Sequence, residues 1–351
     1  MRIIYSLSGQ GFGHSARSKE IINHLIESGH DVKIFTYGQA LLLLEKAIGA
    51  ENIFEIPGLV LEYKKNRLVY WKTAWANAKK ISRHARSWQK ISRAFSEFRP
   101  DLVITDFEPL VANLAKTKKI PLISIDNQHQ LTNTEIDLPL RFKKELMAQK
   151  LIVKSMVWGA KHYLVTSFFR TKVTKKNTFL FPPVIRKEIL DLLPSKGDYI
   201  LVYQGADFEH LMPIIKNSRE KFVVFGPHKA SLEGNIAYRG FAVEEWLDYL
   251  KDAKAVIGTA GSSLICECIY LKKPYLAMPI DRQVEQIING RYLERLGFGL
   301  AADNLTAEVL EKFLSDLPEY EKNLEAAASL GNEALFDKLD EIIKELPSRR
   351  P

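Results

Sequence analysis

Residues 258–289 read GTAGSSLICECIYLKKPYLAMPIDRQVEQIIN, and this stretch decides the fold. The apolar run 255–257 just before it predicts a short buried strand, which leads through a glycine turn ending at Gly261 into a helical pattern. We expect Ser262 or Ser263 to cap that helix. A strand, a glycine turn and a helix start together form an anion site, because free N–H groups and the helix dipole attract a phosphate.

Polar side chains follow this turn at positions that suit the rest of a nucleotide sugar. Glu267 lies four or five residues into the helix, about a turn and a quarter below the phosphate position, where a carboxylate accepts both hydroxyls of a ribose. A second strand is predicted over 275–278, after Pro274. Polar residues follow it on a loop and helix, namely Asp281, Glu285, Gln286 and Asn289. The arrangement predicts a pocket for a nucleoside diphosphate that carries a sugar.

The stretch resembles the donor-binding signature of GT-B glycosyltransferases, in particular the lipid-II-forming N-acetylglucosaminyltransferases and the plant and macrolide UDP-sugar transferases. In that signature a Gly is followed six residues later by Glu and seven more by Pro. An acid or Gln, a second Gln, two further residues and an Asn complete it. The matching positions are Gly261, Glu267, Pro274, Glu285, Gln286 and Asn289.

The resemblance implies roles for the residues of the donor pocket. Ser262 and Ser263 would hold the diphosphate, and Glu267 would bind the ribose. Glu285 and Gln286 would bind the sugar hydroxyls, a pair that suits several hexoses. The alternative is a strand and helix with a capped start and no ligand.

Three further positions complete the predicted donor site. Thr259 stands where plant members place a phosphate-binding His, so phosphate contact here would rest on backbone and hydroxyl groups. Gly205 follows the first strand of the second half in a tight turn that faces the phosphates. Phe241 follows the third strand, where relatives of this fold contact the base; a core Phe is the alternative.

The amino terminus carries a second glycine loop, GQGFGHS at 9–15, between a predicted strand over 2–8 and a helix over 16–28. A dinucleotide fingerprint is excluded, because the third glycine position of G-x-G-x-x-G holds His14. The loop resembles the acceptor-side loop of the same transferases. The pattern G-x-G-x-G-H-x-x-R also resembles one prokaryotic family of glycosyltransferase-like proteins, and the matching residues are Gly9, Gly11, Gly13, His14 and Arg17.

A buried strand over 101–105 ends in Asp106, where open α/β sheets keep their chemistry. In the plant relatives an Asp at this point pairs with the amino-terminal His, which acts as general base. The resemblance therefore assigns catalysis to His14 and Asp106. A His oriented by a carboxylate removes the proton of an attacking sugar hydroxyl at neutral pH. The alternatives are that His14 bonds the loop backbone and that Asp106 caps the next helix.

The acceptor site is predicted from the same edge of the sheet. The strand over 121–125 ends in Asp126-Asn127-Gln128-His129, and the blocks DFEP and IDNQH also resemble the prokaryotic family. Predicted acceptor contacts are Gly11, Gly13, Arg17, Glu108, Asp126 and His129. Two alternatives stay open: Asp126 replaces His14 as the base, or Glu108 and His129 are satisfied surface groups.

Composition bounds the class of protein. The chain has 351 residues, of which 46% are hydrophobic and 26% charged, which suits a globular protein of two α/β domains. No leading apolar segment or membrane span is expected. Cys266 and Cys268 lie two apart on one helix and point to different faces, so neither a disulfide nor a zinc site is expected. We therefore expect a cytoplasmic protein.

The net charge of +8 is concentrated in the first half. Residues 1–176 hold 29 basic and 15 acidic residues, and the region 63–99 is basic with aromatic residues at helical spacing. Three explanations compete: a solvated helix pair packed on the sheet, a patch that binds an anionic membrane surface, and nucleic-acid binding. Nucleic acid is disfavoured, because no recognition motif accompanies the charge. The lipid-II-forming relative, a peripheral membrane enzyme, favours a lipid-linked acceptor and the inner membrane face.

Alternating strand and helix patterns predict an α/β fold of two Rossmann-like doubly wound domains that face a cleft. The domains are predicted over 1–180, for the acceptor, and 195–320, for the nucleotide sugar. A strand near 163–166 would close the first sheet, and 178–194 would connect the domains. Helices over 321–351, including one from about 320 to 346, would cross back to the first domain.

The predicted activity is transfer of a hexose or N-acetylhexosamine from a UDP-sugar to a hydroxyl, with inversion, and UDP-N-acetylglucosamine is one candidate donor. No metal and no cofactor beyond the co-substrate are expected, because helix dipole, hydroxyls and N–H groups stabilise the leaving diphosphate. The alternatives are a non-hydrolysing UDP-N-acetylglucosamine 2-epimerase and a non-catalytic protein that binds nucleotide sugars or anionic lipid.

Overall fold

The computed structural model describes residues 1–9, 12–58, 63–64, 67–68, 81–203, 211–227 and 229–347. The chain divides into two compact units. Unit 1 comprises Met1–Arg186 and Gly331–Pro351, and unit 2 comprises Lys187–Leu330. Unit 2 is therefore inserted, in sequence, between the main part of unit 1 and its last helix. The sequence predicts boundaries near 180–195 and 320, whereas the units change after Arg186 and after Leu330.

Unit 1 is built on a seven-stranded parallel sheet. Its strands are β1 (Arg2–Leu7), β2 (Asp31–Thr36), β3 (Ile53–Glu55), β6 (Leu102–Asp106), β7 (Leu122–Asp126), β8 (His162–Thr166) and β9 (Thr178–Phe181), while β4 (Tyr63–Lys64) and β5 (Arg67–Leu68) pair only with each other. The spatial order is β3-β2-β1-β6-β7-β8-β9. Its helices are α1 (Phe12–Glu27), α2 (Gly38–Ile48), α3 (Ile81–Phe98), α4 (Pro109–Thr117), α5 (Gln130–Asn133) and α6 (Lys143–Met156), with a 3₁₀ turn at Leu140–Phe142.

The central strands of unit 1 are buried on both faces. Along β1, Ile3 and Tyr5 belong to one apolar cluster, whereas Ile4 belongs to a second cluster. Successive side chains of a strand point to opposite faces, so the sheet has a core on each side. This is the layered arrangement that near-continuous apolar strands require.

The last helix, α14 (Glu333–Glu345), is part of the core of unit 1. Leu335, Leu339 and Ile342 on α14 lie in the same apolar cluster as β1. Just before the helix, the side-chain amide of Asn332 accepts from Ile185 N and donates to Ile185 O, both at 2.8 Å. Helix and connection are thus fixed to unit 1 by both apolar and polar contacts.

Unit 2 repeats the plan with a second seven-stranded sheet. Its strands are β10 (Tyr199–Tyr203), β11 (Lys221–Phe225), β12 (Ser231–Glu233), β13 (Ile236–Arg239), β14 (Ala255–Thr259), β15 (Tyr275–Met278) and β16 (Gly299–Ala301), in the order β12-β13-β11-β10-β14-β15-β16. All neighbours are parallel except β12 and β13. Its helices are α7 (Lys187–Leu190), α8 (Met212–Lys216), α9 (Val243–Asp252), α10 (Ser262–Tyr270), α11 (Val284–Arg295), α12 (Ala307–Ser315) and α13 (Leu317–Ala326).

The predicted α/β class and doubly wound topology are confirmed for both halves, with three corrections of detail. First, β9 lies beyond β8 at the sheet edge, so the prediction that 163–166 closes the sheet is wrong. Its four residues are followed at once by Pro182-Pro183, which makes the segment look like a linker. Second, β12 and β16 are absent from the sequence prediction, because strands of three residues are too short to show a pattern. Third, the single helix predicted over 320–346 is two helices, α13 and α14.

In the parts of the chain described above, no helix combines the length and apolarity that crossing a bilayer requires.

Candidate active site

A buried polar network joins the carboxyl end of β6 to the first turns of α1. Asp106 is fully buried at the end of β6, and His14 Nδ1 lies 2.8 Å from its Oδ1. Arg17 donates from Nε to Asp106 Oδ2 at 2.7 Å and from Nη2 to Oδ1 at 2.6 Å. Ser18 donates from Oγ to Oδ2 at 3.0 Å. The two residues predicted as a catalytic pair therefore lie in contact.

Helix geometry explains why these side chains converge. His14, Arg17 and Ser18 stand at i, i+3 and i+4 of α1 and therefore share one face of the helix. Ser18, which also accepts from Tyr5 Oη at 3.1 Å, is absent from the sequence prediction. The helical spacing after His14 is the signal that would have included it.

The charges in this network fix the state of Asp106. Burial raises the pKa of Asp106, but the charges of Arg17 and His14 outweigh burial and hold it at about 2. Arg17 Nη2 also lies 2.8 Å from His14 Nδ1. Because a guanidinium only donates, Nδ1 either accepts from Arg17 or carries a proton and donates to Asp106. Only the second tautomer leaves Nε2 as a base for a substrate.

The turn after Asp106 aims the next carboxylate at a helix. Phe107 adopts φ 58°, in the left-handed region, and turns the chain towards α4. Glu108 is the N-cap of α4, and its carboxylate accepts from Leu110 N and Val111 N, both at 2.8 Å. Burial raises the pKa of Glu108 to about 7, although these two N–H groups oppose the shift. The cap that the sequence allows for Asp106 is thus made by Glu108, which is buried.

Asp126 and His129 form a second buried pair at the end of β7. His129 Nδ1 lies 2.7 Å from Asp126 Oδ2, and Nε2 lies 3.0 Å from Val157 O. Since both partners are acceptors, the contacts suit an imidazolium that donates twice. Burial raises the pKa of Asp126, but His129 and a hydrogen bond from Ser124 outweigh it, and the net shift is downward. Because both residues are buried, the alternative that His129 is a surface group is wrong, and the predicted acceptor contacts of this pair would require it to open.

In unit 2, the end of β14 is shaped by a close contact with β15. Tyr275 donates from its hydroxyl to Thr259 O at 2.7 Å. A Cβ on Gly258 would lie 2.5 Å from that hydroxyl oxygen, so the glycine makes room for the tyrosine. Gly258 therefore serves the packing that holds the turn before α10.

The amino end of α10 differs from the prediction in one respect. Gly261 is the N-cap, with φ −69° and ψ 135°, and it has no side chain that could cap the helix. Ser262 and Ser263 are the first two helical residues, so the predicted serine cap is wrong. Among the described residues, a Cβ added to Gly261 would meet only Thr259 Oγ1, at 3.9 Å, so there is room beside the N-cap.

The remaining signature residues lie on α10 and α11. Glu267 and Glu285 are half-buried. Asn289 is buried and donates from Nδ2 to Ala260 O at 3.0 Å, which ties α11 to the turn before α10. Gln286 Oε1 accepts from Ile280 N at 3.0 Å and holds the loop after β15. The observed role of this signature residue is thus to position the turn before α10.

The base-contact position is exposed. Phe241 keeps 58% of its surface accessible, and its ring centre lies 5.5 Å from that of Tyr203. A core role for Phe241 is therefore wrong.

Gly13 lies in the first turn of α1. The predicted contacts at Gly11 and Gly205 lie outside the described residues.

With this geometry in view, comparison with known proteins identifies the class. The protein family described as "Glycosyl transferase family 1" matches residues 1–318 of this chain. An uncharacterized glycosyltransferase of Methanosarcina acetivorans is 26% identical over 328 residues, covering 85% of each chain. The UDP-N-acetylglucosamine--N-acetylmuramyl-(pentapeptide) pyrophosphoryl-undecaprenol N-acetylglucosamine transferase of Legionella pneumophila is 34% identical over 128 residues, covering 34% of this chain and 35% of the relative. The glycotransferase of kitacinnamycin has a similar fold, with a TM-score of 0.69 at 16% identity, covering 98% of this chain and 99% of that one.

The chain belongs to glycosyl transferase family 1, because the family match spans most of its length. It is a glycosyltransferase of the GT-B type, with two Rossmann-like units on parallel sheets.

Proposed function

We propose that this glycosyltransferase takes a hexose or N-acetylhexosamine from a UDP-sugar, specifically UDP-N-acetylglucosamine, and transfers it to a hydroxyl acceptor with inversion. The observation that carries the proposal is the amino end of α10, where the N-cap is a glycine and where, among the described residues, an added Cβ would meet only Thr259 Oγ1, at 3.9 Å. The N–H groups and the dipole of a helix start together attract a diphosphate.

The donor is assigned to unit 2. The diphosphate lies before α10 at Ser262 and Ser263, and Glu267 accepts from the ribose hydroxyls. Glu285 and Gln286 bind the sugar, while the exposed ring of Phe241 stacks on the base. The name of the Legionella pneumophila relative supports N-acetylglucosamine as the sugar.

Catalysis is assigned to the network of His14 and Asp106. Asp106 accepts a hydrogen bond from Nδ1–H of His14, so that Nε2 removes the proton of the acceptor hydroxyl as its oxygen attacks the anomeric carbon. The bond from that carbon to the diphosphate breaks in the same displacement. Helix N–H groups stabilise the leaving diphosphate, so the proposed reaction needs no metal ion.

The acceptor is proposed to be lipid-linked, and the protein to lie peripherally at the inner face of a membrane, in contact through the basic region 63–99. The charge of that region supports the proposal. Within it, Ile91 and Phe95 on α3 are buried in the core of unit 1. Packing against the core thus accounts for part of the apolar side of this helix. The proposed membrane contact is therefore made by the basic residues of the region.

The test is binding first and turnover second. Among UDP, dTDP, UDP-glucose and UDP-N-acetylglucosamine, we expect isothermal titration to show the tightest binding for UDP-N-acetylglucosamine. Tighter binding of dTDP than of UDP would contradict the proposal that the donor is a UDP-sugar. Lipid extracts then serve as acceptors, with and without EDTA, and UDP release is expected in both. Conversion of the donor alone to an epimer would instead identify an epimerase. No UDP release with any acceptor would favour a non-catalytic binding protein.

A further inference from the structure

The outer side of α6 in unit 1 is apolar and exposed. Four large side chains define what we call the α6 stripe: Leu140, Met147, Leu151 and Trp158, which keep 83%, 59%, 70% and 57% of their surface accessible. Leu140 lies in the 3₁₀ turn before α6, Met147 and Leu151 lie on α6, and Trp158 follows the end of the helix. Scattered exposed apolar residues are ordinary on protein surfaces, whereas these four are grouped within one short segment.

Helix geometry places two of these side chains on one side of α6. Met147 and Leu151 stand at i and i+4 of the helix, while Leu140 lies in the 3₁₀ turn before it and Trp158 follows the extended C-cap Val157. The opposite side carries Val153, which is buried, and Val157 after the helix end lies in the core of unit 1. The helix therefore has two apolar sides, of which the core covers one.

Basic residues flank the stripe. Arg141, Lys143, Lys144 and Lys154 are exposed. Over residues 138–161 the chain has six basic residues and a single acid, Glu145. Glu145 is half-buried, and its Oε2 is buried, so it does little to offset the outer charge.

A basic loop joins the segment that leads into α6. Thr134 forms an antiparallel bridge with Val173, and Glu135 N donates to Lys172 O at 2.9 Å. Positive charge is added here by four exposed residues of the loop, Arg170, Lys172, Lys175 and Lys176. Glu135 pairs with Lys172 at 3.0 Å and neutralises one of them.

We propose that the α6 stripe inserts into the surface of a bilayer that contains anionic lipid. Leucine, methionine and tryptophan side chains enter the boundary between headgroups and acyl chains, while lysines beside them remain at the phosphate level. A second copy of this chain fits less well, because pairing two stripes would bring like charges together. The lysines match anionic headgroups instead.

The direction of α6 relates this surface to the candidate active site. β7 ends at the edge of the sheet that carries Asp106, and β8 begins at the opposite edge. Since α6 lies between them in sequence, it runs back along the sheet and begins on the side of Asp106. Leu140 is therefore the end of the stripe nearest the site that receives the acceptor. The stripe extends the membrane contact of the proposed function and rests on it. Vesicle binding requires neither a particular donor nor turnover, so it is tested apart from the donor and catalytic assignments.

Flotation of the full chain with vesicles tests the proposal. The probe is phosphatidylcholine with or without phosphatidylglycerol, and the variant combines Leu140→Ser, Met147→Ser and Leu151→Ser. The matched control combines Leu42→Ser, Leu193→Ser and Leu232→Ser, which are exposed leucines on other elements. We expect the stripe variant to bind phosphatidylglycerol vesicles about tenfold more weakly or worse, and the control to bind as the wild type does.

A site-specific label provides an independent measurement. Both native cysteines, Cys266 and Cys268, are buried, so an environment-sensitive dye attaches selectively to Leu151→Cys or to Leu232→Cys. The emission of the first should shift to the blue on adding phosphatidylglycerol vesicles, and that of the second should stay constant. Undiminished flotation of the stripe variant, with UDP affinity intact to show that it is folded, would overturn the proposal. A loss of dimers in the stripe variant without a change in flotation would do so as well and would assign the surface to self-association.

Discussion

Arg17 and Asp106 form a two-pronged ion pair inside unit 1, with Nε 2.7 Å from Oδ2 and Nη2 2.6 Å from Oδ1. Both side chains are almost wholly excluded from solvent. The guanidinium balances the charge of the carboxylate that also orients His14. Arg17 is thus a positioning residue for the proposed base, whereas a contact with the acceptor stays a prediction.

Removing Arg17 should destabilise unit 1, because Asp106 would be left buried without its main counter-charge. For Arg17→Ala we expect the free energy of unfolding in urea to fall by about 3–5 kcal/mol. The control is Arg93→Ala, since Arg93 pairs with Glu97 at 2.7 Å in an exposed position on α3. It should cost less than about 1 kcal/mol. Equal losses in the two variants would contradict the account.

Replacing His14 should affect turnover and spare donor binding. For His14→Ala we expect kcat to fall by about 10²–10⁴-fold, the usual contribution of a general base. UDP affinity should stay at the wild-type value, as measured by titration. His24→Ala serves as the control, because His24 lies on the same helix but pairs with Asp340 at 3.0 Å, away from Asp106. Normal turnover of His14→Ala would remove His14 from the chemistry.

Two glycines, Gly258 three residues before the N-cap of α10 and Gly261 at the N-cap, should respond differently to a methyl group. Gly261→Ala should fold normally, since its added Cβ meets only Thr259 Oγ1 among the described residues, at 3.9 Å. The methyl group would occupy the proposed diphosphate space, and we expect UDP to bind about tenfold more weakly. Gly258→Ala should instead lower the free energy of unfolding by about 1–3 kcal/mol, because the Tyr275 hydroxyl must move. Unchanged UDP affinity in Gly261→Ala would argue against a diphosphate at this helix end.

Glu267 and Glu285 should separate recognition of the nucleotide from that of the sugar. Glu267→Ala is expected to weaken UDP binding by about 1–3 kcal/mol, as for hydrogen bonds to a charged group. Glu285→Ala should leave UDP affinity unchanged and weaken binding of the complete UDP-sugar. Both are read by isothermal titration, and a Glu267→Ala variant that binds UDP normally would refute the ribose assignment.

Stability should fall as pH rises, through Glu108. Its folded pKa, about 7, lies above the ordinary value of 4.5, so the folded state binds more protons between these pH values. The free energy of unfolding attributable to Glu108 is therefore greatest below pH 4.5 and declines through pH 7, by at most roughly 3 kcal/mol. Urea unfolding at about pH 5 and about pH 8 should show a smaller decline for Glu108→Gln than for the wild type. Equal declines would remove Glu108 as the source.

Local patterns made much of this fold predictable. The strand, turn and helix around Gly261 lie close together in sequence, and so does the glycine loop before His14, so each can be recognised without knowing the rest. The ends of parallel strands meet at one edge, which brings Asp106 to His14 from far along the chain. The donor and catalytic roles of these residues remain predictions.

The features that the sequence did not predict depend on contacts between segments that are distant along the chain. Which carboxylate caps α4 is decided by the left-handed turn at Phe107, and Asp126 is paired inside the protein because Val157 supplies a second acceptor to His129. Periodicity likewise could not reveal the outward stripe of α6, since an apolar residue on a helix looks the same whether it faces a core or solvent. The basic charge of the sequence indicated a membrane-binding patch at 63–99 instead.

The placement of α14 bears on how this protein is made. Leu335, Leu339 and Ile342, together with Ile343 and Leu346, complete a core whose other buried members lie within the first 186 residues. During synthesis one side of the first sheet therefore stays partly uncovered by α14 until the ribosome has translated all of unit 2 and that helix. A chain cut after residue 330 would keep every proposed binding and catalytic residue and still lack the cover of its first core.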